Sequence, residues 1–286
     1  MRAITVRAFA KINLSLRIKA RRDDGFHDVQ TILQAIDLSD RLTCESRRGP
    51  FRILCATAGV PADRTNLVWR AARRLWDAAG RDGEPRDAVV TLQKRIPMKA
   101  GLGGGSSDAA SALLALRQVW KLRVADEELF GIAARLGSDV PFFFVGGTAL
   151  GLGRGEEVYP LADLPRWWIL LVFPPFGIAT AEAYEWLDEQ RTRTSAGPEA
   201  RFLPDTWLGK IVPLVNDLER PVTERHPVIG KLTERLVKLG AVLSAMSGSG
   251  STVFGIFTTP TAADKALRAL RKTGTDALVV RMRSRR

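Results

Sequence analysis

Hydrophobic and polar residues alternate over much of the first third of the chain. Ile4, Val6 and Ala8 interleave with Thr5, Arg7 and Phe9, and Ile12, Leu14, Leu16 and Ile18 repeat the period of two. Such alternation predicts strands. A polar turn at 22–25 interrupts it, and the apolar pattern resumes over 29–36. The period then changes. Leu67, Ala71, Leu75 and Ala78 share one face of a helix predicted over 66–79, which the Gly- and Pro-bounded stretch 80–85 ends. Ala88, Val90, Leu92 and Ile96 alternate again as a strand stopped by Pro97. A glycine-rich loop follows and opens an apolar helix through Leu116, and 126–136 predicts a further helix.

Residues 138–144 run into a second glycine-rich stretch that ends at Gly155, where the composition shifts. This predicts one domain over 1–155 and another over 156–286. The second reads as a strand at 168–173, a helix from Ala181, a polar loop over 190–204 and a helix over 227–239. A strand, the sequence Ser-Gly-Ser-Gly-Ser at 247–251, a strand, a helix and a last strand at 277–281 complete it. Strands and helices mix without βαβ regularity and no internal repeat is present. An α+β fold is expected, not a doubly wound parallel sheet.

Composition narrows the class. With 286 residues, 45% hydrophobic and 26% charged, the chain is neither disordered nor a disulfide-stapled miniature. Lys and Arg outnumber Asp and Glu by 43 to 31, a net +12, which biases the surface toward anions. The basic residues are scattered, with a cluster only in the tail (Arg281, Arg283, Arg285, Arg286). A nucleic-acid surface would be a continuous basic stripe with interleaved aromatics, so no nucleic-acid partner is expected. Cys44 and Cys55 cannot build a disulfide framework, and His27 and His226 are too few for a histidine-based hydrolase or metal centre. The uncharged, glycine-rich run 140–153 is too short for a bilayer, and the N-terminus has no apolar signal core. A soluble cytoplasmic enzyme acting on a small molecule is expected, with its oligomeric state open.

The strongest local signal is PMKAGLGGGSSDAA at 97–110, a strand, a glycine loop and a helix. Glycines remove the Cβ atoms that keep a backbone away from phosphate oxygens. The open N–H groups and positive end of the following helix then favour an anion. Ser106 and Ser107 add hydroxyls, and Asp108 reads as a first-turn carboxylate. The loop lacks the Gly-Lys-Ser/Thr of a Walker motif and the spacing of the dinucleotide fingerprint. A branched side chain at Gly104 is expected to hold the backbone off a phosphate while sparing the fold.

This loop resembles the nucleotide-binding motif of the galactokinase–homoserine kinase–mevalonate kinase–phosphomevalonate kinase superfamily. Its triple glycine is typical of the branch acting on a diphosphocytidyl polyol. Three further segments agree, in order. AFAKINLSL (8–16) followed by DDGFHDVQT (23–31) resembles that branch's substrate segment, LGSDVPFFF (136–144) its catalytic-aspartate segment, and MSGSGSTVF (246–254) the third superfamily motif. The resemblance implies an ATP-dependent kinase that phosphorylates the 2-hydroxyl of 4-diphosphocytidyl-2-C-methyl-D-erythritol, on the methylerythritol phosphate route to isoprenoids. It also implies two α+β domains with the active site in the cleft between them, and Mg2+ arriving with ATP. Siblings acting on mevalonate or homoserine share the loop and the third motif, but nothing in them accounts for Gly25-Phe26-His27.

On this resemblance Asp139 is the catalytic base and Lys11 its partner, a cation that stabilises charge on the transferring group. Read by itself, Asp139 is equally a loop-capping residue. Asn13 shares a strand face with Lys11 and is expected on the acceptor polyol. Phe26 and Tyr184 are expected to stack on a cytosine ring whose edge His27 reads, with Thr180 also on the substrate; the alternatives are a turn histidine and a core aromatic. The family favours tyrosine where this chain has Phe26, which removes a hydroxyl but keeps the ring. ATP is expected against Asn66 and Leu67, against Lys94, Pro97 and Met98, and along Lys99, Ala100, Gly101, Leu102, Gly103, Gly104, Gly105, Ser106, Ser107 and Asp108. Asn66 also suits a helix cap. Two readings of Lys99 stand, one pointing outward and one touching phosphate. Gly248 is expected to bring backbone close to substrate. Ser107 is a candidate ligand of Mg2+, and no carboxylate cage is visible.

Overall fold

Two long strands occupy most of the first fifty residues, β1 (Ala3–Arg21) and β2 (His27–Pro50). The two runs of alternation before residue 20 are therefore one strand. From Lys11 to Leu16 every residue of β1 is buried, so its polar side (Lys11, Asn13, Ser15) is enclosed as thoroughly as its apolar side. β2 extends well past the apolar stretch that predicts it. The computed structural model describes residues 3–194 and 215–285.

Contacts group the chain into two units, each made of separate stretches. One takes Met1–Ala10, Leu38–Met98 and Gly103–Val145; the other takes Lys11–Asp37, Lys99–Leu102 and Gly146–Arg286. In the first, β3 (Arg52–Cys55) runs parallel to β4 (Arg86–Gln93), and β4 pairs antiparallel with β2, Leu42 opposite Leu92. The sheet order is β3-β4-β2-β1. Helices α1 (Leu67–Ala78), α2 (Gly104–Val119), α3 (Asp126–Leu136) and the single turn α4 (Phe142–Val145) accompany it. Leu42, Val90 and Leu92 meet Leu75, Leu113, Leu116 and Ile132 in one core. Asn66 caps α1 by accepting from the Val68 N–H at 2.9 Å, about where the period predicts a start. Ala109, Ala112 and Ala115 of α2 are wholly enclosed, small enough for α1 and α2 to pack closely.

In the second unit the early half of β2 pairs antiparallel with β5 (Thr148–Leu152), which returns as β6 (Glu157–Pro160). The short β8 (Val215–Asn216) runs parallel to β1 at Ser15 and Leu16. A second, antiparallel sheet has the order β11-β7-β10-β9, from β7 (Trp168–Val172), β9 (Leu243–Met246), β10 (Val253–Phe257) and β11 (Ala277–Arg281). Helices α5 (Thr180–Thr194), α6 (Glu219–Arg225), α7 (Val228–Lys238) and α8 (Pro260–Arg271) belong here. Leu170, Val172, Met246 and Phe257 pack with Leu187, Leu236 and Leu270, and Leu16, Ile18 and Val29 join them. The architecture is α+β. Where a polar loop is expected from Gln190, α5 continues to Thr194; the rest of that loop lies outside the described residues. Among the described residues no helix is long and apolar enough to cross a membrane.

Candidate active site

The glycine loop changes unit in its middle, between Leu102 and Gly103. Gly103 takes the left-handed conformation (φ 68°) that ends the loop, and α2 starts at Gly104 with no side-chain cap. The first N–H groups of α2 therefore point outward with the positive end of the helix, as anion binding needs. Gly104 has a packing reason too. A Cβ there would lie 3.0 Å from Cγ2 and 3.2 Å from Cβ of Ile96, so a branched residue would disturb the unit as well as the loop, contrary to the expectation that the fold is spared. Ser107 is buried, and its hydroxyl donates to the Phe9 carbonyl at 2.7 Å.

Asp108 is the fifth residue of α2, past the first turn, and its carboxylate turns inward. There it meets Lys94, whose Nζ donates to Asp108 at 2.6 Å and also to Asp40. Asp40 is completely enclosed and accepts from the backbone N–H of Arg95 at 2.5 Å and of Ile96 at 2.9 Å. It fastens the segment leading into the glycine loop to β2. One cation thus sits between two buried carboxylates. Burial pushes the Asp108 carboxyl up to about 7; Lys94 opposes this and Asp40 reinforces it. Burial works against the Lys94 charge, yet Asp108 and Asp40 together hold its ammonium above the usual value. One Asp108 oxygen, Oδ1, is buried without a partner. Lys94 is legible in sequence only through the resemblance. Asp40 is missed altogether, because it lies past the apolar stretch 29–36, where an acid among polar neighbours reads as a solvated position.

The earlier half of the loop packs within the second unit. Ser247 Oγ donates to the Gly101 carbonyl at 2.9 Å. A Cβ on Gly101 (φ 72°) would sit 1.9 Å from the Ser247 carbonyl oxygen, so glycine is obligatory there. Lys99 is exposed with φ 51°, its carbonyl accepting from Ile178 N–H at 3.1 Å. On β1, Lys11 Nζ donates to Asn13 Oδ1 at 2.7 Å, Asn13 Nδ2 to Thr31 at 2.8 Å, and Thr31 to the Ser15 carbonyl at 2.7 Å. A Cβ on Gly248 would lie 3.1 Å from Asn13 Oδ1 and 3.3 Å from Lys11 Nζ. The 247–251 turn therefore runs directly over the Lys11–Asn13 pair. Asn216 pins it, donating to the carbonyls of Met246 at 2.9 Å and Gly248 at 2.8 Å. No periodicity marks that two-residue strand, so Asn216 is missed as well.

His27 opens β2, buried, with Nε2 2.9 Å from Asp188 and its ring 5.3 Å from that of Tyr184. Tyr184 and Asp188 lie one turn apart on α5. Thr180 begins that helix, its hydroxyl 3.3 Å from Ser249. Phe26 is half exposed, with the Arg154 guanidinium 5.0 Å from its ring centre. Lys11, Asn13, Phe26, His27, Thr180, Tyr184 and Gly248 are therefore in one unit, with Lys99, Ala100, Gly101 and Leu102. Asn66, Leu67, Lys94, Pro97, Met98, residues 103–108 and Asp139 are in the other. Asp139 lies half-buried in the turn between α3 and α4. Among the described residues no group of three or more His, Cys, Asp or Glu is placed to hold a metal ion.

Known proteins resemble this chain in sequence and in fold. Residues 66–147 match the GHMP kinases N terminal domain and residues 205–276 the GHMP kinases C terminal domain. Together with the open α2 terminus behind a glycine loop, these matches define the class as a GHMP kinase. A Synechococcus 4-diphosphocytidyl-2-C-methyl-D-erythritol kinase is 43% identical over 267 residues, spanning 90% of this chain and 85% of the relative. The Moorella thermoacetica enzyme of the same name is 39% identical over 98% of this chain and 99% of its own. A crystal structure of 4-(cytidine 5'-diphospho)-2C-methyl-D-erythritol kinase superposes with a TM-score of 0.80 at 35% identity, covering 98% and 99% of the two chains. The chain belongs to the 4-diphosphocytidyl-2-C-methyl-D-erythritol kinase family.

Proposed function

We propose that this protein transfers the terminal phosphoryl group of ATP to the 2-hydroxyl of 4-diphosphocytidyl-2-C-methyl-D-erythritol, in the methylerythritol phosphate route to isoprenoid precursors. The observation that carries the reading is the pairing of near-full-length family identity with a buried Lys11–Asn13 pair under the Gly248 backbone. A polyol hydroxyl needs close polar partners on a rigid frame, and an enclosed strand supplies them. The open N–H groups at the start of α2 receive phosphate oxygens, and Asn66, Leu67 and Met98 flank the nucleotide. Asp139 takes the proton leaving the acceptor hydroxyl, and the Lys11 ammonium offsets charge on the transferring group. His27 reads the edge of the cytosine while Phe26 and Tyr184 offer ring faces. Asp40 and Asp108 are engaged with Lys94 and the Ser107 hydroxyl with the Phe9 carbonyl, so these side chains would not hold Mg2+, which would come bound to the nucleotide and offset phosphate charge there. The two free cysteines suit a cytoplasmic setting.

ADP release measured with the diphosphocytidyl acceptor, mevalonate and homoserine tests the assignment. Rapid turnover is expected with the first alone, and comparable turnover with either of the others refutes it. Asp139→Asn should retain both substrates yet slow the single turnover by roughly 100- to 10,000-fold; full activity would remove Asp139 from the chemistry.

A further inference from the structure

His27 is 7% exposed, and its two ring nitrogens are in different situations. Nε2 faces Asp188 Oδ1 at 2.9 Å. Among the described residues Nδ1 makes no hydrogen bond, and it is not one of the buried unpartnered atoms, so solvent reaches it. Tyr184, one helical turn before Asp188, lays its ring against the imidazole at 35°. The α5 face thus fixes both the plane of the His27 ring and the partner of one nitrogen. A carboxylate only accepts, so the proton of a neutral imidazole facing it is on Nε2, and the lone pair is on Nδ1.

We propose that Asp188 is a positioning residue that sets base specificity: by holding the His27 proton on Nε2 it keeps Nδ1 an acceptor, which admits a base presenting an exocyclic amino group and rejects one presenting a carbonyl there. Cytosine displays an N4 amino donor, whereas uracil displays an oxygen at that position. The inference rests on the reading of His27 as the reader of the base edge. Without Asp188 the ring is free to move its proton to Nδ1 and to rotate, and a carbonyl becomes acceptable. The ionisable neighbour of His27 that matters here, Asp188, is itself held on a surface helix, so its removal should leave the unit folded.

The test measures binding of CDP and UDP by calorimetry to the full chain and to Asp188→Ala and His27→Ala. The wild type should prefer CDP. Asp188→Ala should lose about 10-fold of that preference, the size of one hydrogen bond to a buried edge, with turnover at saturating acceptor little changed and the Michaelis constant raised. The chain has only two histidines, so histidine-specific 15N spectra, assigned with His27→Ala, report the His27 proton directly. It should sit on Nε2 in the wild type and be shared between both nitrogens in Asp188→Ala. If His27→Ala abolishes the preference while Asp188→Ala keeps it whole, the role of Asp188 is overturned and His27 stands as the reader. If His27→Ala keeps the preference, both fall.

Discussion

Replacing Asp108 by Asn should make the protein more stable, and increasingly so as pH rises. The carboxyl is held near 7 against an ordinary 3.8. A folded-state value raised above the unfolded one means stability that is present below about 4 and lost as pH climbs through 7. Fully ionised, the group costs on the order of 4 kcal/mol. Between pH 5 and 8 about 2–3 kcal/mol of that loss is still to come. The amide resembles the protonated carboxyl and carries no such cost. Lys94 keeps Asp40 as its counter-ion, so the remaining pair is neutral. At roughly 2–4 °C per kcal/mol for units of this size, the gap in Tm between Asp108→Asn and the wild type should widen by about 5–10 °C from pH 5 to pH 8. Thermal melts in matched buffers across that range measure it. A gap that stays constant, or a variant less stable at every pH, would refute a buried, proton-binding Asp108.

Lys94→Met should do the opposite, stranding two enclosed carboxylates; a loss of about 3–5 kcal/mol in urea unfolding is expected, and a loss below 1 kcal/mol would mean the cluster is hydrated. Two glycines of the loop should part company. Gly101→Ala drives a Cβ into the Ser247 carbonyl and should unfold or cripple the second unit, whereas at Gly105 the nearest neighbour is Leu67 Cδ1 at 3.7 Å, and Ala there should raise helix stability by roughly 0.5–1 kcal/mol; circular dichroism melts of the two variants decide it.

Much of this was legible in the chain itself, and what was not has definite causes. The amphipathic period and cap at Asn66 give α1, and the period alone gives α3, because helices of eleven or twelve residues contain several turns of pattern. The glycine loop announces an anion site since its chemistry is local. Asp40 and Asn216 escape notice because their meaning comes from partners 54 and 30 residues away. The buried polar side of β1 is invisible for a related reason: alternation tells apolar from polar, and it does not tell a solvated polar face from an enclosed one. The β5–β6 hairpin hides in a stretch whose glycines, Gly153 and Gly155 with φ of 66° and 111°, read as a loop and in fact make the turn between strands.

The interleaving of the two units carries a lesson for anyone wishing to take the protein apart. The polypeptide passes from one unit to the other at five places, after Ala10, Asp37, Met98, Leu102 and Val145. No single cut liberates either. A fragment beginning at Gly146 would lack Leu16, Ile18 and Val29, leaving unfilled the apolar cluster that holds Leu170 and Phe257. Truncation, modular swapping and independent expression of halves are closed to this architecture. A grafted or shuffled version has to carry the residue 11–37 ribbon along with the C-terminal half.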